Sequence, residues 1–205
     1  MRLLIIGASG GTGRALIRQA GERGHEITAF VRSPQKLAGG ARGVTIRQGD
    51  PRNVSELLAI LPGHDAVLSA LGPPGPGPTT ILSAGARSTV EAMQAGGLRR
   101  LLIVSAAVLF DLGLLATLLR RTLLKNVAKD SAEMERIVRT SHLDWTIARP
   151  PRLTNGRLTG RYSVADEQLP SRSALASISR ADVAHFLLTE LEHGAHIHHI
   201  VGVSN

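Results

Sequence analysis

Short apolar runs alternate with longer amphipathic stretches along the chain. The apolar runs are typical of buried parallel strands, and the amphipathic stretches are typical of helices that cover a sheet. Strands are predicted at 3–6, 26–31, 44–46, 65–71, 101–104, 145–148 and 197–203, with a short strand or hairpin arm at 159–164. Helices are predicted at 14–23, 53–61, 79–95 and 129–141, and from 179 onward. Because strands and helices alternate, we expect a single α/β domain over 1–205, with a doubly wound, mostly parallel sheet and helices on both faces.

A glycine-rich turn joins the first strand to the first helix. Its sequence is Gly7-Ala8-Ser9-Gly10-Gly11-Thr12-Gly13-Arg14. The spacing is GxxGxxG rather than the GxGxxG dinucleotide fingerprint. Gly7 can adopt a positive φ, Gly10 lets backbone N–H groups approach a pyrophosphate, and Gly13 lets the helix pack against the strand. All eight residues are therefore candidates for binding a phosphate-bearing cofactor at the helix N-terminus, and a plain strand-to-helix turn is the alternative.

Further candidates for cofactor binding follow the next three strands at the same edge of the sheet. They are Arg32, Ser33, Gly49, Asp50, Ser69, Ala70, Leu71 and Gly72. An NAD site usually has Asp or Glu after the second strand, whereas an NADP site has Arg nearby. Arg32 stands there without an acid, which predicts NADP(H), although a surface arginine is the alternative. Asp50 would lie beside the adenine or serve only as a turn residue.

Composition narrows the function classes. The chain has no Cys, which excludes disulfides, thiol catalysis and Cys-based metal sites. Aromatic residues make up 2%, which argues against base-stacking platforms for nucleic acid. The net charge of +8 would attract nucleic acid, an anionic membrane or an anionic cofactor. Because the arginines are spread along the chain, we favour a solvated basic surface over nucleic-acid binding.

Two other stretches bear on partners. The stretch 107–124 is apolar but short for a membrane span, and it carries Asp111, Arg120 and Arg121. We interpret it as a helical cover over the active site or as an oligomer contact, in a monomer or homodimer without a membrane partner. The first strand leaves no room for a signal peptide, so a cytoplasmic location is expected.

Four histidines cluster near the C-terminus, at 193, 196, 198 and 199. They lack a carboxylate at ligand spacing, and strand alternation would send His198 and His199 to opposite faces. We therefore expect no metal site.

Six motifs in order carry a family resemblance. They are Gly7 to Gly13, Val31-Arg32, Gly49-Asp50, Val104-Ser105, Asp144 to Pro150 and Ser179 to Ala184. Together they resemble the atypical short-chain dehydrogenase/reductases, in a branch related to biliverdin reductase B, a flavin reductase, and to the NmrA-like proteins. The resemblance covers essentially the whole chain, and its most specific part is Trp-Thr-Ile-Ala-Arg-Pro at 145–150.

This resemblance implies an NADP-binding Rossmann domain with the substrate pocket over the nicotinamide and a small C-terminal portion that covers the substrate. The further cofactor or pocket residues that it implies are Val104, Pro150, Pro151, Arg152 and Leu153. Ser105 matches the active-site serine, and Lys129 matches the lysine of the family's Tyr-x-x-x-Lys pair, so both are candidate catalytic residues. The alternatives are a serine that only caps the end of a strand and an ordinary lysine in the first turn of a helix.

The tyrosine of that pair is missing, since Lys125 stands in its place. The sole tyrosine, Tyr162, lies downstream and is expected to be hydrophobic cover with its hydroxyl in water. Without the phenol there is no evident general acid for carbonyl reduction. Biliverdin reductase B-like proteins also lack this pair and reduce flavins and conjugated tetrapyrroles, whose acceptor atoms solvent can protonate. The resemblance therefore implies an extended acceptor rather than the substrate of a sugar epimerase or an alcohol dehydrogenase.

Three functions remain open at this point. The first is an NADPH-dependent reductase that transfers hydride to a flavin, quinone or similar conjugated acceptor. The second is a non-catalytic NADP(H)-binding redox sensor of the NmrA-like type, which would bind cofactor tightly without turnover. The third is a nucleic-acid-binding module, which would show binding that falls steeply with salt.

Overall fold

The computed structural model describes residues 1–37, 43–73, 75, 77–110, 122, 124–170 and 176–205. The strands within these residues are β1 Arg2–Ile6, β2 Glu26–Val31, β3 Val44–Gln48, β4 Ala66–Ser69, β5 Arg100–Val104, β6 Asp144–Arg149, β7 Arg152–Thr154, β8 Ser163–Asp166, β9 Ser177–Ser179 and β10 His199–Ser204. The helices are α1 Gly11–Glu22, α2 Val54–Ile60, α3 Ile81–Gly96, α4 Lys125–Arg139 and α5 Arg180–His193.

Eight strands form one central sheet in the order β3-β2-β1-β4-β5-β6-β10-β8. Neighbours are parallel except for the edge strand β8, which runs antiparallel to β10. From β1 the chain winds outward first through β2 and β3 and then, on the other side, through β4 and β5. The predicted single domain with a doubly wound, mostly parallel sheet is confirmed, and the reversal beside β1 is where such sheets bind ligands.

Side chains of β1 alternate between the two faces of the sheet. Leu4 and Ile6 belong to the core cluster that α3 and α4 cover. Leu3 and Ile5 belong to the cluster that α1 and α5 cover. All four are 0% exposed, which explains why the strand is an unbroken apolar run rather than an alternating one.

Two helices begin at side-chain caps that their sequences indicate. The Asn53 carboxamide oxygen accepts the Glu56 N–H at 3.2 Å, and its NH₂ group donates to the Glu56 carboxylate at 2.8 Å. The Ser179 hydroxyl oxygen accepts the Asp182 N–H at 2.9 Å. These caps satisfy N–H groups that the helix itself leaves unpaired, so they fix where α2 and α5 begin.

Asp182 also explains why the predicted hairpin arm at 159–164 begins late, at Ser163. Its carboxylate is 0% exposed and accepts the N–H groups of Thr159 and Gly160, each at 2.9 Å. These N–H groups are thereby withdrawn from a strand ladder. The short parallel pair of β7 with β9 was not predicted, because three residues are too few for a periodic pattern.

Other elements also begin at residues that differ from the predicted ones. Helix α4 begins at Lys125 rather than at Lys129, and β10 begins at His199. His198 precedes the strand with φ of 64°, so strand alternation does not govern its direction. Of the apolar stretch 107–124, only 107–110, 122 and 124 are described, and the expected helical cover otherwise lies outside the described residues. In the part of the chain that the structure describes, no helix has the length and apolarity needed to cross a membrane.

Candidate functional site

The glycine turn between β1 and α1 contains two glycines that the fold itself requires. Gly7 has φ of +76°, and a Cβ there would lie 2.6 Å from the carbonyl oxygen of Ala70. A Cβ on Gly13 would overlap the Gly7 carbonyl oxygen and lie 2.6 Å from the Cα of Ala8. The Gly7 carbonyl also accepts the Gly10 N–H at 3.0 Å and so closes the turn. These glycines allow β1, β4 and α1 to approach one another.

Gly10 is different, because the protein's own atoms leave it room. It precedes α1 with an ordinary φ of −73°, and a Cβ there would meet only the Gly7 carbonyl oxygen, at 3.3 Å. It lines an open cleft. Within the described part of the chain, no side chain caps α1, and its first turn carries no acid. The N-terminal N–H groups of α1 are therefore free to bind an anion.

The cleft has a volume of about 590 Å³ and lies at the carboxyl ends of β1, β2, β4 and β5. Its lining includes twelve of the residues predicted to bind cofactor: Gly7, Ser9, Gly10, Gly11, Thr12, Arg32, Ser33, Ala70, Leu71, Gly72, Val104 and Leu153. It also includes six that sequence reasoning did not assign to the site: Phe30, Val31, Lys36, Pro51, Pro73 and Arg180. Among these described lining residues are three cations and no carboxylate, so the cleft suits an anionic ligand.

Arg14 supports the cleft from outside rather than lining it. Its Nε donates to the Ser9 carbonyl at 3.1 Å, and its Nη2 donates to the Lys36 carbonyl. These bonds join the glycine turn to the short 3₁₀ helix Pro34–Leu37. Arg14 thereby holds the backbone of Lys36 next to the turn, a contact that residue spacing alone does not reveal.

Several other predicted cofactor residues lie behind the lining. Ala8 and Ser69 are buried, and a Cβ on Gly49 would overlap the ring of Phe30. Asp50 is paired with Arg52, whose Nη2 lies 2.6 Å from a carboxylate oxygen. That hydrogen bond lowers the pKa of Asp50 to about 2, against a smaller opposing effect of burial. Asp50 is therefore a paired carboxylate at the margin of the cleft.

The predicted catalytic Ser105 lies against a buried ion pair. Its hydroxyl donates to Glu135 at 2.5 Å, and Glu135 accepts two further bonds from Arg149, at 2.5 and 2.9 Å. The side chains of Glu135 and Arg149 are 4% and 12% exposed. The Arg149 guanidinium also stacks on Phe110, 4.6 Å from the ring centroid. Glu135 and Arg149 border a second cavity of about 450 Å³, and Ser105 does not line the glycine-turn cleft.

Lys129, the second predicted catalytic residue, is exposed on α4 and borders a third cavity of about 410 Å³ with Thr79 and Thr80. Pro150 and Pro151 also lie outside the lining of the cleft, and the Pro150 carbonyl accepts the Ala107 N–H at 2.9 Å. The structure thus gathers the predicted phosphate and ribose residues but does not bring Ser105 or Lys129 into the same lining.

Tyr162 differs from expectation. Its hydroxyl is 2.8 Å from the Nδ1 atom of His185 instead of lying in water, and burial raises the pKa of Tyr162 to about 12. It does not line the cleft. Among the described residues, no group of three or more His, Asp or Glu side chains is arranged to hold a metal ion.

Comparison with known proteins identifies the family to which the chain is similar. A family model described as NAD(P)H-binding matches residues 7–194. The UPF0659 protein YMR090W of Saccharomyces cerevisiae is 33% identical over 204 residues, which are 94% of this chain and 88% of the relative. A Bacillus subtilis relative, named "uncharacterized sugar epimerase YhfK", is 30% identical over 202 residues, which are 94% and 88% of the two chains.

The solved structures include a protein of similar size. It is a "putative NADH-flavin reductase" of Streptococcus pneumoniae, 29% identical, with a TM-score of 0.79 and coverage of 100% of this chain and 99% of that one. The family match spans the glycine turn, the strand ends that border the cleft and Arg180. The chain therefore belongs to the NAD(P)H-binding family of Rossmann-fold, reductase-like proteins, whose cofactor is a nicotinamide dinucleotide.

Proposed function

We propose that the protein is an NADPH-dependent reductase that delivers hydride to a flavin, a quinone or a similar conjugated acceptor. The observation that carries the proposal is the charge of the cleft. The uncapped N-terminus of α1 and three cations border it, and its described lining residues include no carboxylate. A nicotinamide dinucleotide brings two phosphates to such a site, and NADPH brings a third.

The pyrophosphate would bind at the glycine turn. There Gly10 leaves space that no described side chain fills, and the first N–H groups of α1 have no partner within the helix. A cleft of about 590 Å³ is within the usual range for small-molecule sites. The residues present therefore fit the cofactor that the family requires.

The 2′-phosphate would bind beyond the end of β2. Arg32 and Lys36 are exposed in the cleft, and neither side chain forms an ion pair with another described residue. Arg presents a planar fork of donors that matches phosphate, and Lys adds a second positive charge. The nearby acid, Asp50, forms an ion pair with Arg52, so its carboxylate is not free to accept a hydrogen bond from a ribose hydroxyl. These contacts support NADPH over NADH.

Bound NADPH would supply the hydride. Leu71, Val104 and Leu153 give the cleft apolar surface against which a flat ring can pack. The Ser105 hydroxyl already donates a hydrogen bond to Glu135, and Lys129 lies outside the lining of the cleft. The described lining residues therefore include no Tyr, His, Asp or Glu that could act as the acid for a carbonyl substrate. A conjugated acceptor that takes its proton from water removes the need for one, and the structural neighbour named as a flavin reductase agrees with this class.

A non-catalytic NADP(H)-binding regulator is the second candidate. The lack of a donor acid in the described lining supports it as well, because a sensor needs to bind the cofactor but not to transfer a proton. The relative named as a sugar epimerase suggests a third acceptor class, but Lys125 stands where the family's tyrosine would be.

Loss of NADPH absorbance with a panel of acceptors tests the proposal. Riboflavin, FMN and a soluble quinone form one arm, and an aldehyde and a sugar nucleotide form the other. Turnover confined to the first arm supports the reductase, and the Gly10→Val variant serves as the cofactor-free control. Turnover confined to the second arm overturns the proposal. Tight NADPH binding without turnover in either arm indicates the regulator.

A further inference from the structure

Arg180 comes from the far end of the chain to the glycine turn. It is the first residue of α5, directly after the cap Ser179, and its side chain lines the cleft. A Cβ built on Gly11 would lie 2.5 Å from the Cδ of Arg180, 2.9 Å from its Nε and 3.8 Å from its Cζ. The Arg180 stem therefore crosses directly over Gly11, and its guanidinium lies beside the start of α1.

This contact gives Gly11 a different role from its neighbours in the turn. At Gly7 and Gly13 the missing Cβ allows close contact with neighbouring backbone, and at Gly10 it leaves open space in the cleft. At Gly11 it allows the side chain of Arg180 to pass. Gly11 is the first residue of α1, and any side chain there would have to displace the Arg180 stem. Glycine at this position is therefore explained by the place that Arg180 occupies.

The Arg180 guanidinium and the start of α1 are both positive, which favours an anion bound between them. Its Nη1 donates to the Asn155 side-chain oxygen at 2.7 Å, and it forms no ion pair with another described residue. The other N–H groups of a guanidinium remain available, since the group has five donors. The start of α1 carries the positive end of the helix dipole. Two positive groups side by side repel each other unless an anion lies between them.

We propose that Arg180 binds the pyrophosphate of the cofactor, opposite the N–H groups of α1. Gly11 positions the Arg180 side chain, because its missing Cβ leaves room for the stem. This inference rests on the proposed function only in taking a nicotinamide dinucleotide as the ligand of the cleft. It assigns Arg32 and Lys36 to the 2′-phosphate and Arg180 to the phosphates that NADH and NADPH share.

Titrations with three ligands separate these assignments. NADPH carries both phosphate groups, NADH carries only the pyrophosphate, and adenosine 2′-monophosphate carries only the 2′-phosphate. Arg180→Met is expected to weaken NADPH and NADH alike, by about ten- to a hundredfold, and to leave adenosine 2′-monophosphate unchanged. Arg32→Ala is expected to weaken NADPH and adenosine 2′-monophosphate and to leave NADH unchanged.

Two further variants keep the test sharp if Arg180→Met is poorly folded. Gly11→Ala places a methyl group where the Arg180 stem lies, and it should weaken both dinucleotides in the same pattern. Arg180→Lys keeps the charge without the planar fork and should recover part of the affinity. Thermal unfolding of each variant without ligand checks the fold.

Unchanged NADH affinity in folded Arg180→Met overturns the inference, and so does a loss that adenosine 2′-monophosphate shares. Equal affinity of the wild type for NADH and NADPH would refute the NADPH assignment alone, because a parallel loss in Arg180→Met would still establish the pyrophosphate contact. Absence of binding of either dinucleotide to the wild type would refute both.

Discussion

The glycine-turn cleft and the Glu135–Arg149 pair lie at the same edge of the sheet. They differ in whether the positively charged side chains have a carboxylate partner. In the cleft, Arg32 and Lys36 form no ion pair with another described residue. At the second place, Arg149 is held by both carboxylate oxygens of Glu135 and is largely buried. The Ser105 hydroxyl adds a third bond to the same carboxylate.

The difference separates a binding site from a structural contact. Exposed cations that have no partner among the described residues keep their charge available to an anionic ligand. A buried pair that satisfies itself leaves little for a charged ligand to gain. The charges of the cleft are therefore available to the proposed cofactor, whereas Glu135 and Arg149 neutralise each other.

The largest expected effect is on stability. Arg149→Met leaves the Glu135 carboxylate buried without its partner and should lower the free energy of unfolding by about 3–5 kcal/mol. NADPH affinity of the folded fraction should stay unchanged. Urea unfolding measures the first quantity and calorimetry the second, and the double variant Arg149→Met/Glu135→Gln should recover much of the loss. A parallel loss of NADPH affinity would show that the two regions are coupled.

Gly10→Val should come next, with NADPH and NADH both bound at least about a hundredfold more weakly, roughly 2.7 kcal/mol. The branched side chain would occupy the space at the start of α1, while its tightest protein contact, 3.3 Å from a carbonyl oxygen, needs only a small shift. Gly13→Ala is the contrasting variant, because its Cβ overlaps backbone and should destabilise the protein without ligand. Retained NADPH affinity in Gly10→Val would mean that the turn has no part in binding.

Arg32→Ala should weaken NADPH by about ten- to a hundredfold, since a hydrogen bond to a charged group contributes about 1.5–3 kcal/mol. NADH should bind as before. Arg47→Ala is the matched control, because Arg47 is an exposed arginine on the neighbouring strand β3 that does not line the cleft. Titrations at fixed ionic strength measure both cofactors, and equal losses for both in Arg32→Ala would contradict the assignment.

The smallest effect is expected at α4. Lys125 and Lys129 are exposed and lie outside the lining of the cleft, so neither is placed to protonate an acceptor. Lys125→Met and Lys129→Met should each change kcat on a flavin or quinone by less than about tenfold, or 1.4 kcal/mol. A larger drop in steady-state kcat with unchanged cofactor affinity would show that the lysine takes part in proton transfer.

The comparison also shows what the sequence could and could not predict. The doubly wound, mostly parallel sheet follows from the alternation of apolar runs with helices. The turn at Gly7 to Gly13 is visible because its glycines are close together in the chain. Arg180 and Lys36 were missed because each looks locally like an ordinary polar residue at the start of a helix or on a surface turn. Their places in the cleft arise only when the fold brings residue 180 beside residue 11 and residue 36 beside Arg14.

Ser105 is a residue that the sequence singled out but whose hydrogen-bond partner the sequence did not reveal. Its position after β5 matches a family motif, but the partner of its hydroxyl is Glu135, thirty positions along the chain. A glutamate within an amphipathic helix gives no local signal that it is buried against an arginine from the next strand. Tertiary pairing decides the role of such a residue, and sequence periodicity does not report it.

The buried carboxylate of Asp182 has a consequence for local opening of the molecule. It accepts the N–H groups of Thr159 and Gly160 while the cap Ser179 binds the same residue from the start of α5. Releasing either backbone N–H to solvent would leave a fully buried anion short of donors. The 159–160 segment and the first turn of α5 should therefore open together as one cooperative unit in hydrogen exchange, although β8 and β9 lie between them along the chain.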